Sequence, residues 1–139
     1  MTHSDNIQNL AASLVKFQGE VETVRKTANN PFFRSKYATL AQILDVVRQP
    51  LSDNGLAVSQ FPTGEDAITT ILLHKSGEYI METSQMSPEK RTPQALGSAI
   101  TYARRYALSA VLGLNIDDDD DGNAASAKDN VQTTNAFKK

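Results

Sequence analysis

Residues 56–86 read LAVSQFPTGEDAITTILLHKSGEYIMETSQM, and their apolar period is that of a sheet. Three runs, 56–61, 67–75 and 78–86, are alternating or continuously apolar and rich in Val, Ile, Leu and Thr, so each predicts a strand. Pro62-Thr63-Gly64-Glu65-Asp66 separates the first two, and Ser76-Gly77 between the last two suits a tight hairpin. Strands joined by turns this short pair antiparallel, so the stretch predicts a three-stranded antiparallel meander.

Outside the meander the period becomes helical on both sides. Downstream, Thr92 suits an N-cap and Pro93 the N1 position, where no N–H is needed. Leu96, Ile100, Ala103, Ala107 and Val111, widened by Leu108 and Leu112, form the apolar stripe expected to pack. Gln94, Ser98, Thr101, Arg105 and Ser109 fall on another face, and Gly113 can end the helix in the left-handed conformation after about six turns. Upstream, Thr39 and Gln42 have capping-box spacing, and Leu40, Ile43, Leu44, Val47 and Leu51 mark a buried face. Pro50 is expected to kink or interrupt this helix near Gln49, with Asn54-Gly55 as the exit.

Ile7, Leu10, Leu14, Phe17, Val21 and Val24 alternate spacings of three and four, which predicts an amphipathic helix over 5–27. Its seam resembles a short heptad pattern. It either covers the domain's own sheet or packs on a neighbouring subunit, and Ile7, Leu10, Leu14, Phe17 and Val21 are the candidate oligomerisation residues. Gly19 weakens the helix by about 1 kcal/mol relative to alanine, which favours tertiary support. The expected architecture is α+β, in the order helix, helix, three strands, helix, forming one domain over 1–116. An acidic and polar tail over 117–139, too poor in large apolar groups to order itself, should be disordered.

The 139-residue chain has a net charge of −2, but the charge is segregated: 1–116 carries 11 basic against 10 acidic residues, and 117–139 carries 3 against 6. Any nucleic-acid site must therefore be a local patch, multiplied through many subunits on one strand. With no cysteine and only His3 and His74 as imidazoles, no zinc motif can be assembled, and no cofactor is expected. Asp117, Asp119, Asp121 and Gly122 imitate the start of a calcium loop, yet Lys128 stands where its bidentate glutamate belongs. No apolar run approaches the ~20 residues that span a bilayer and the first residues lack the order of a secretory signal, so a cytoplasmic protein is expected. His74 reads as a packing or surface residue.

Three segments bring together groups suited to a single strand. In Ala28-Asn29-Asn30-Pro31-Phe32-Phe33-Arg34-Ser35-Lys36-Tyr37-Ala38, rings that can stack bases alternate with cations that can hold phosphates. Lys90 and Arg91 stand immediately before the free amides of the Thr92 helix, a place that favours anions. On that helix Arg104 and Arg105 offer guanidinium forks, and Ser98 and Thr101 are small enough to let a backbone lie close. The ordinary alternative is a solvated arginine, with Tyr102 and Tyr106 covering the sheet. Lys75, at the hairpin tip, is a weaker candidate for a groove wall.

Gly97-Ser98-Ala99-Ile100-Thr101-Tyr102-Ala103-Arg104-Arg105-Tyr106, followed by the run of aspartates 117–121, resembles the ERF family of phage single-strand annealing proteins. The Asn-Pro, aromatic, basic, Ser-Lys-Tyr-Ala order of 30–38 is similar to the same family, and the resemblance extends from about 28 to 122. It implies a Rad52-like annealing fold, with a hairpin or meander packed against a long helix. The implied activity is binding of single-stranded DNA and annealing of complementary strands without nucleotide hydrolysis, in a ring or filament of identical subunits. Its implied partners are single-stranded DNA and the annealed duplex intermediate, with a host single-strand binding protein or a phage exonuclease as further candidates. The candidate DNA contacts are Phe33, Arg34, Lys36, Tyr37, Lys75, Lys90, Arg91, Ser98, Thr101, Arg104 and Arg105. Two other classes stay open: a self-assembling structural or adaptor protein without annealing activity, and a metal-dependent nuclease using the aspartates.

Overall fold

The computed structural model describes residues 1–27 and 38–115, with the backbone alone for 23–27. Along the chain run β1 (Thr2–His3), α1 (Gln8–Thr27), α2 (Leu40–Asp53), β2 (Leu56–Thr63), β3 (Ala67–His74), β4 (Tyr79–Gln85) and α3 (Pro93–Leu112). The sheet has four strands in the order β1-β4-β3-β2, antiparallel throughout. The meander is present in the expected register, with Leu56 opposite His74 and Leu72 opposite Ile80. The expectation of three strands is corrected to four: Thr2 and His3 pair with Met81 and Ile80, and the terminal amine reaches Glu82 at 2.8 Å. A two-residue polar strand has no apolar period of its own, and only its partner defines it.

The helices cover one face of this sheet. Leu56, Val58, Leu72 and Ile80 pack into a core with Leu10, Phe17 and Val21 of α1, Ile43, Val47 and Leu51 of α2, and Leu108 and Leu112 of α3. The alternate positions Ala57, Ser59, Phe61 and Leu73 are exposed, as expected of an antiparallel sheet with one solvated face.

Local chemistry fixes the helix ends. Thr39 caps α2 and exchanges bonds with Gln42 in the expected capping box. Pro50 does not interrupt α2, which continues for three residues beyond it to Asp53. Asn54 closes that end by donating to the Pro50 carbonyl and to Glu20 of α1, each at 2.8 Å, and Gly55 turns the chain at φ +68°. Thr92 accepts from the Ala95 amide at the start of α3, Pro93 is its first residue, and Gly113 ends it at φ +71°.

The start of α1 is tied to the β3–β4 hairpin. Glu78 accepts from the Leu10 amide and from Asn9 Nδ2, each at 2.8 Å, and these bonds, the Leu10 amide first, hold its carboxyl below the usual range despite its burial. His74 is buried in the same place: its Nδ1 accepts from the Ser76 amide at 3.0 Å and its Nε2 lies 3.1 Å from Ser13 Oγ. The reading of His74 as a packing residue fits this contact.

The α1 seam is used inside the domain. Leu10, Phe17 and Val21 are buried in the core, with Ile7 and Leu14 packed against it. These five side chains cover the domain's own sheet and helices and do not stand exposed for a neighbouring subunit. Among the described residues no helix is long and apolar enough to cross a membrane.

Candidate nucleic-acid interface

Helix α3 carries most of the candidate residues, and its orientation decides what they can do. Leu108 and Leu112 turn to the core together with Arg105 and Ser109, whereas Leu96, Ile100, Ala103, Ala107 and Val111 are only partly covered. The buried face is therefore rotated from the expected stripe. Alanines at 99, 103, 107 and 110 give the helix little apolar contrast, and the two large leucines choose the side that packs.

Arg105 goes with that buried face. It is 1 % exposed, its Nε donates to the Ala38 carbonyl at 2.5 Å, and its guanidinium carbon lies 5.2 Å from the centre of the Tyr106 ring. The expectation that Arg105 stands at the surface to grip a phosphate is corrected: it joins α3 to the residue that enters α2. Arg104, one residue earlier, points to a different cleft, between α2 and β2, which it shares with Arg48.

Along the outer side of α3 runs a groove of about 500 Å³, walled by Thr39 and Leu40 on one side and by Gln94, Ser98, Thr101 and Tyr102 on the other, with Arg105 at its base. Gly97 also lines it, and a Cβ built there meets nothing within 4 Å. Packing does not require glycine at this position, where it weakens a helix by about 1 kcal/mol relative to alanine. An open backbone of this kind suits close approach by a second chain. Thr101 spends its hydroxyl on the Gly97 carbonyl at 3.2 Å, which leaves its methyl and the exposed Ser98 as the groove surface.

Tyr102 and Tyr106 do not cover the sheet. They are 56 % and 46 % exposed and pack edge to face at 4.8 Å, with their hydroxyls 3.3 Å apart. Tyr102 borders both this groove and a larger, mostly apolar one of about 730 Å³ between the alanine face of α3 and the end of β4. An exposed pair of rings offers the faces on which bases stack.

The cations before α3 divide in the same way. Arg91 is tied to the β2–β3 turn, at 2.5 Å from Asp66 and 3.5 Å from Glu65, and the Asp66 hydrogen bond raises its pKa above the usual value. It latches two loops and is half-occupied by carboxylates. Lys90 is exposed beside it. Lys75 lies at the opposite end of β3, its stem against Gly55, where a Cβ would come within 2.8 Å of its Cδ. Seven steps along β3 separate that end from Ala67, about 23 Å, so Lys75 is not brought together with Lys90 and Arg91. Phe33, Arg34, Lys36 and Tyr37 lie outside the described residues, as do the aspartates 117–121 and the rest of the tail.

A family model for the ERF superfamily matches residues 10–139. The chain belongs to the ERF superfamily. ERF proteins are in general annealing proteins with a role in recombination. Comparison with curated proteins and with solved structures returned no significant match. In this ERF chain the structure adds Gln94, Tyr102, Tyr106 and Arg48 to the residues of interest. The two tyrosines were visible as an aromatic pair at a spacing of four, a signal of one shared helix face. Arg48 had no such signal, being a lone exposed cation at the border of the apolar face of α2.

Proposed function

We propose that this ERF protein binds single-stranded DNA along the outer side of α3 and anneals complementary strands without nucleotide hydrolysis, working as a homo-oligomeric ring or filament in phage recombination. The observation that carries this reading is the α3 groove: an open glycine backbone, hydroxyl and amide side chains, and an adjoining exposed pair of aromatic rings, on a chain matched by the ERF family over nearly its whole length. The layered arrangement, a meander covered by a long helix, supports a Rad52-like annealing fold.

In this mechanism the sugar-phosphate chain lies against Gly97, Ser98 and Thr101, and bases rest on Tyr102 and Tyr106. The segment with Phe33, Arg34, Lys36 and Tyr37 ends at Ala38, whose carbonyl Arg105 holds at the base of the groove. Arg105 is thus a positioning residue for the entry to α2 at Ala38. Lys90 adds a cation at the start of the helix. No phosphate-binding loop motif occurs in the sequence, and none is needed. Base-pair stacking releases about 1.4 kcal/mol per step, so pairing runs downhill once strands are extended and aligned.

The test is the rate at which two complementary dye-labelled oligonucleotides pair, without nucleotide and without magnesium. The protein should accelerate pairing well above the spontaneous rate and appear with DNA in assemblies much larger than a monomer. An unchanged rate, with a monomer that leaves oligonucleotides unshifted, would reject this function. Shortened DNA on addition of Mg²⁺ or Mn²⁺ would mark a nuclease instead.

A further inference from the structure

We propose that the cleft between α2 and β2 is a second phosphate-binding site, built by Arg48 and Arg104, that takes a phosphodiester of the same strand; it rests on the single-strand reading above. The two arginines come from different helices and line one cavity of about 220 Å³. Neither makes an ion pair with the described residues, where the pairs are Met1 with Glu82 and Arg91 with Glu65 and Asp66. The nearest acids in sequence do not neutralise them. Asp45, one turn before Arg48, forms no ion pair among the described residues, and Asp53 accepts from Gln49 at 2.7 Å.

Arg104 also carries a buried Nε with no hydrogen-bond partner among the described residues. A buried cationic donor without an acceptor is costly, and native proteins keep such groups chiefly where a ligand or ion satisfies them. No acceptor among the described residues lies within bonding distance of Arg104 Nε. Gln60, the polar side chain of the opposite wall, uses its amide to donate to Thr70 Oγ1 and to the Arg104 carbonyl, each at 3.0 Å. Those bonds hold the Arg104 backbone in place and leave the guanidinium to the cleft. Apart from Ser52, the rest of the wall is aliphatic, Leu44, Leu51, Leu56 and Leu108 among it, a low-dielectric surround that strengthens a guanidinium–phosphate contact.

Position selects a phosphodiester. Leu40 borders the α3 groove, and Leu44, Arg48 and Leu51 continue the same stripe of α2 along the second cleft. Eight residues of helix separate Leu40 from Arg48, about 12 Å, so a strand leaving the α3 groove along α2 meets the arginine pair within a short span. Guanidinium forks match phosphate oxygens and read no base, as a sequence-independent annealer requires.

The experiment uses the full chain and its Arg48→Gln, Arg104→Gln and double variants, with a labelled thymidine oligonucleotide as probe. Affinity is measured across salt concentrations, and thermal melting is followed in parallel. Each lost single-strand phosphate contact should reduce the logarithmic salt slope by about 0.7 for each subunit on the strand, and the double variant by about twice that. The Arg104→Gln and double variants should melt at or above wild type, because an unsatisfied buried donor is removed, and Arg48→Gln, at an exposed residue, should melt with wild type. If the wild type binds and the variants keep its slope, the cleft is not a phosphate site while the single-strand reading stands. If the wild type does not bind, both fail. Inorganic phosphate is the second arm, followed by NMR at the Arg104 Nε–Hε signal. A saturable shift with phosphate but none with the oligonucleotide assigns the cleft to a free anion and overturns the proposal.

Discussion

Replacing Arg105 by alanine should unfold part of the stability of this domain before it changes anything at a DNA surface. The side chain is 1 % exposed, lies among Leu108, Ser109 and Leu112, and donates to the Ala38 carbonyl. Losing a charge-assisted bond costs about 1.5–3 kcal/mol, and truncating a large buried side chain to alanine costs roughly 2–5 kcal/mol in well-packed cores. Relief from burying a charge offsets part of this, which leaves a net loss of about 2–4 kcal/mol. At about 4 °C per kcal/mol for a domain of this size, the melting temperature should fall by roughly 8–16 °C. Arg105→Lys keeps a cation but not the planar fork, and should fall between alanine and wild type. Thermal unfolding by circular dichroism, beside oligonucleotide anisotropy at a temperature where every variant is folded, reads both effects. An alanine variant that melts with wild type yet binds DNA at least tenfold more weakly would show that the guanidinium serves a ligand and not the Ala38 carbonyl.

Further expectations follow from single contacts. Gly97→Ala should raise the melting temperature, since alanine is favoured in a helix by about 1 kcal/mol and meets no atom, while weakening oligonucleotide binding in anisotropy titrations; a stabilised variant with unchanged affinity would place the strand elsewhere. Tyr102→Ala and Tyr106→Ala should each weaken single-strand binding by about 1–3 kcal/mol if a base stacks on that ring, with little change in melting because both rings are exposed. Glu78→Gln should lower the melting temperature at neutral pH. The Glu78 pKa is lowered in the fold, so its contribution is full above the ordinary carboxylate range and is lost as pH falls through the lowered value. The gap between wild type and Glu78→Gln should therefore close on acidification, and a gap independent of pH would exclude this linkage.

Much of the fold was legible because its signals are local. The Thr39–Gln42 box, the Thr92-Pro93 start, the glycines at 55 and 113 and the Ser76-Gly77 turn each act through bonds or dihedral angles within a few residues. Strand β1 was not legible, since its two residues are defined only by Met81 and Ile80 across the sheet. The α1 seam announced that something covers it, but apolar spacing is the same for a domain core and for a subunit contact; the burial of Leu10 and Phe17 decides for the core. On α3 the alanines blur the stripe, so spacing places Arg105 on a partner-facing side although it is buried, and leaves open whether Tyr102 and Tyr106 cover the sheet. The Arg48–Arg104 cleft joins residues 56 positions apart from separate helices, a juxtaposition that no periodicity encodes.

Photo-crosslinking of an iodouracil-substituted single strand to the intact protein, followed by peptide mapping, asks directly where the strand lies. Crosslinks should concentrate at Tyr102 and Tyr106 on α3 and disappear when the strand is displaced by high salt. Crosslinks confined to Phe61 on the open face of the sheet, or to α1, with none on α3, would mean that DNA does not run along this helix.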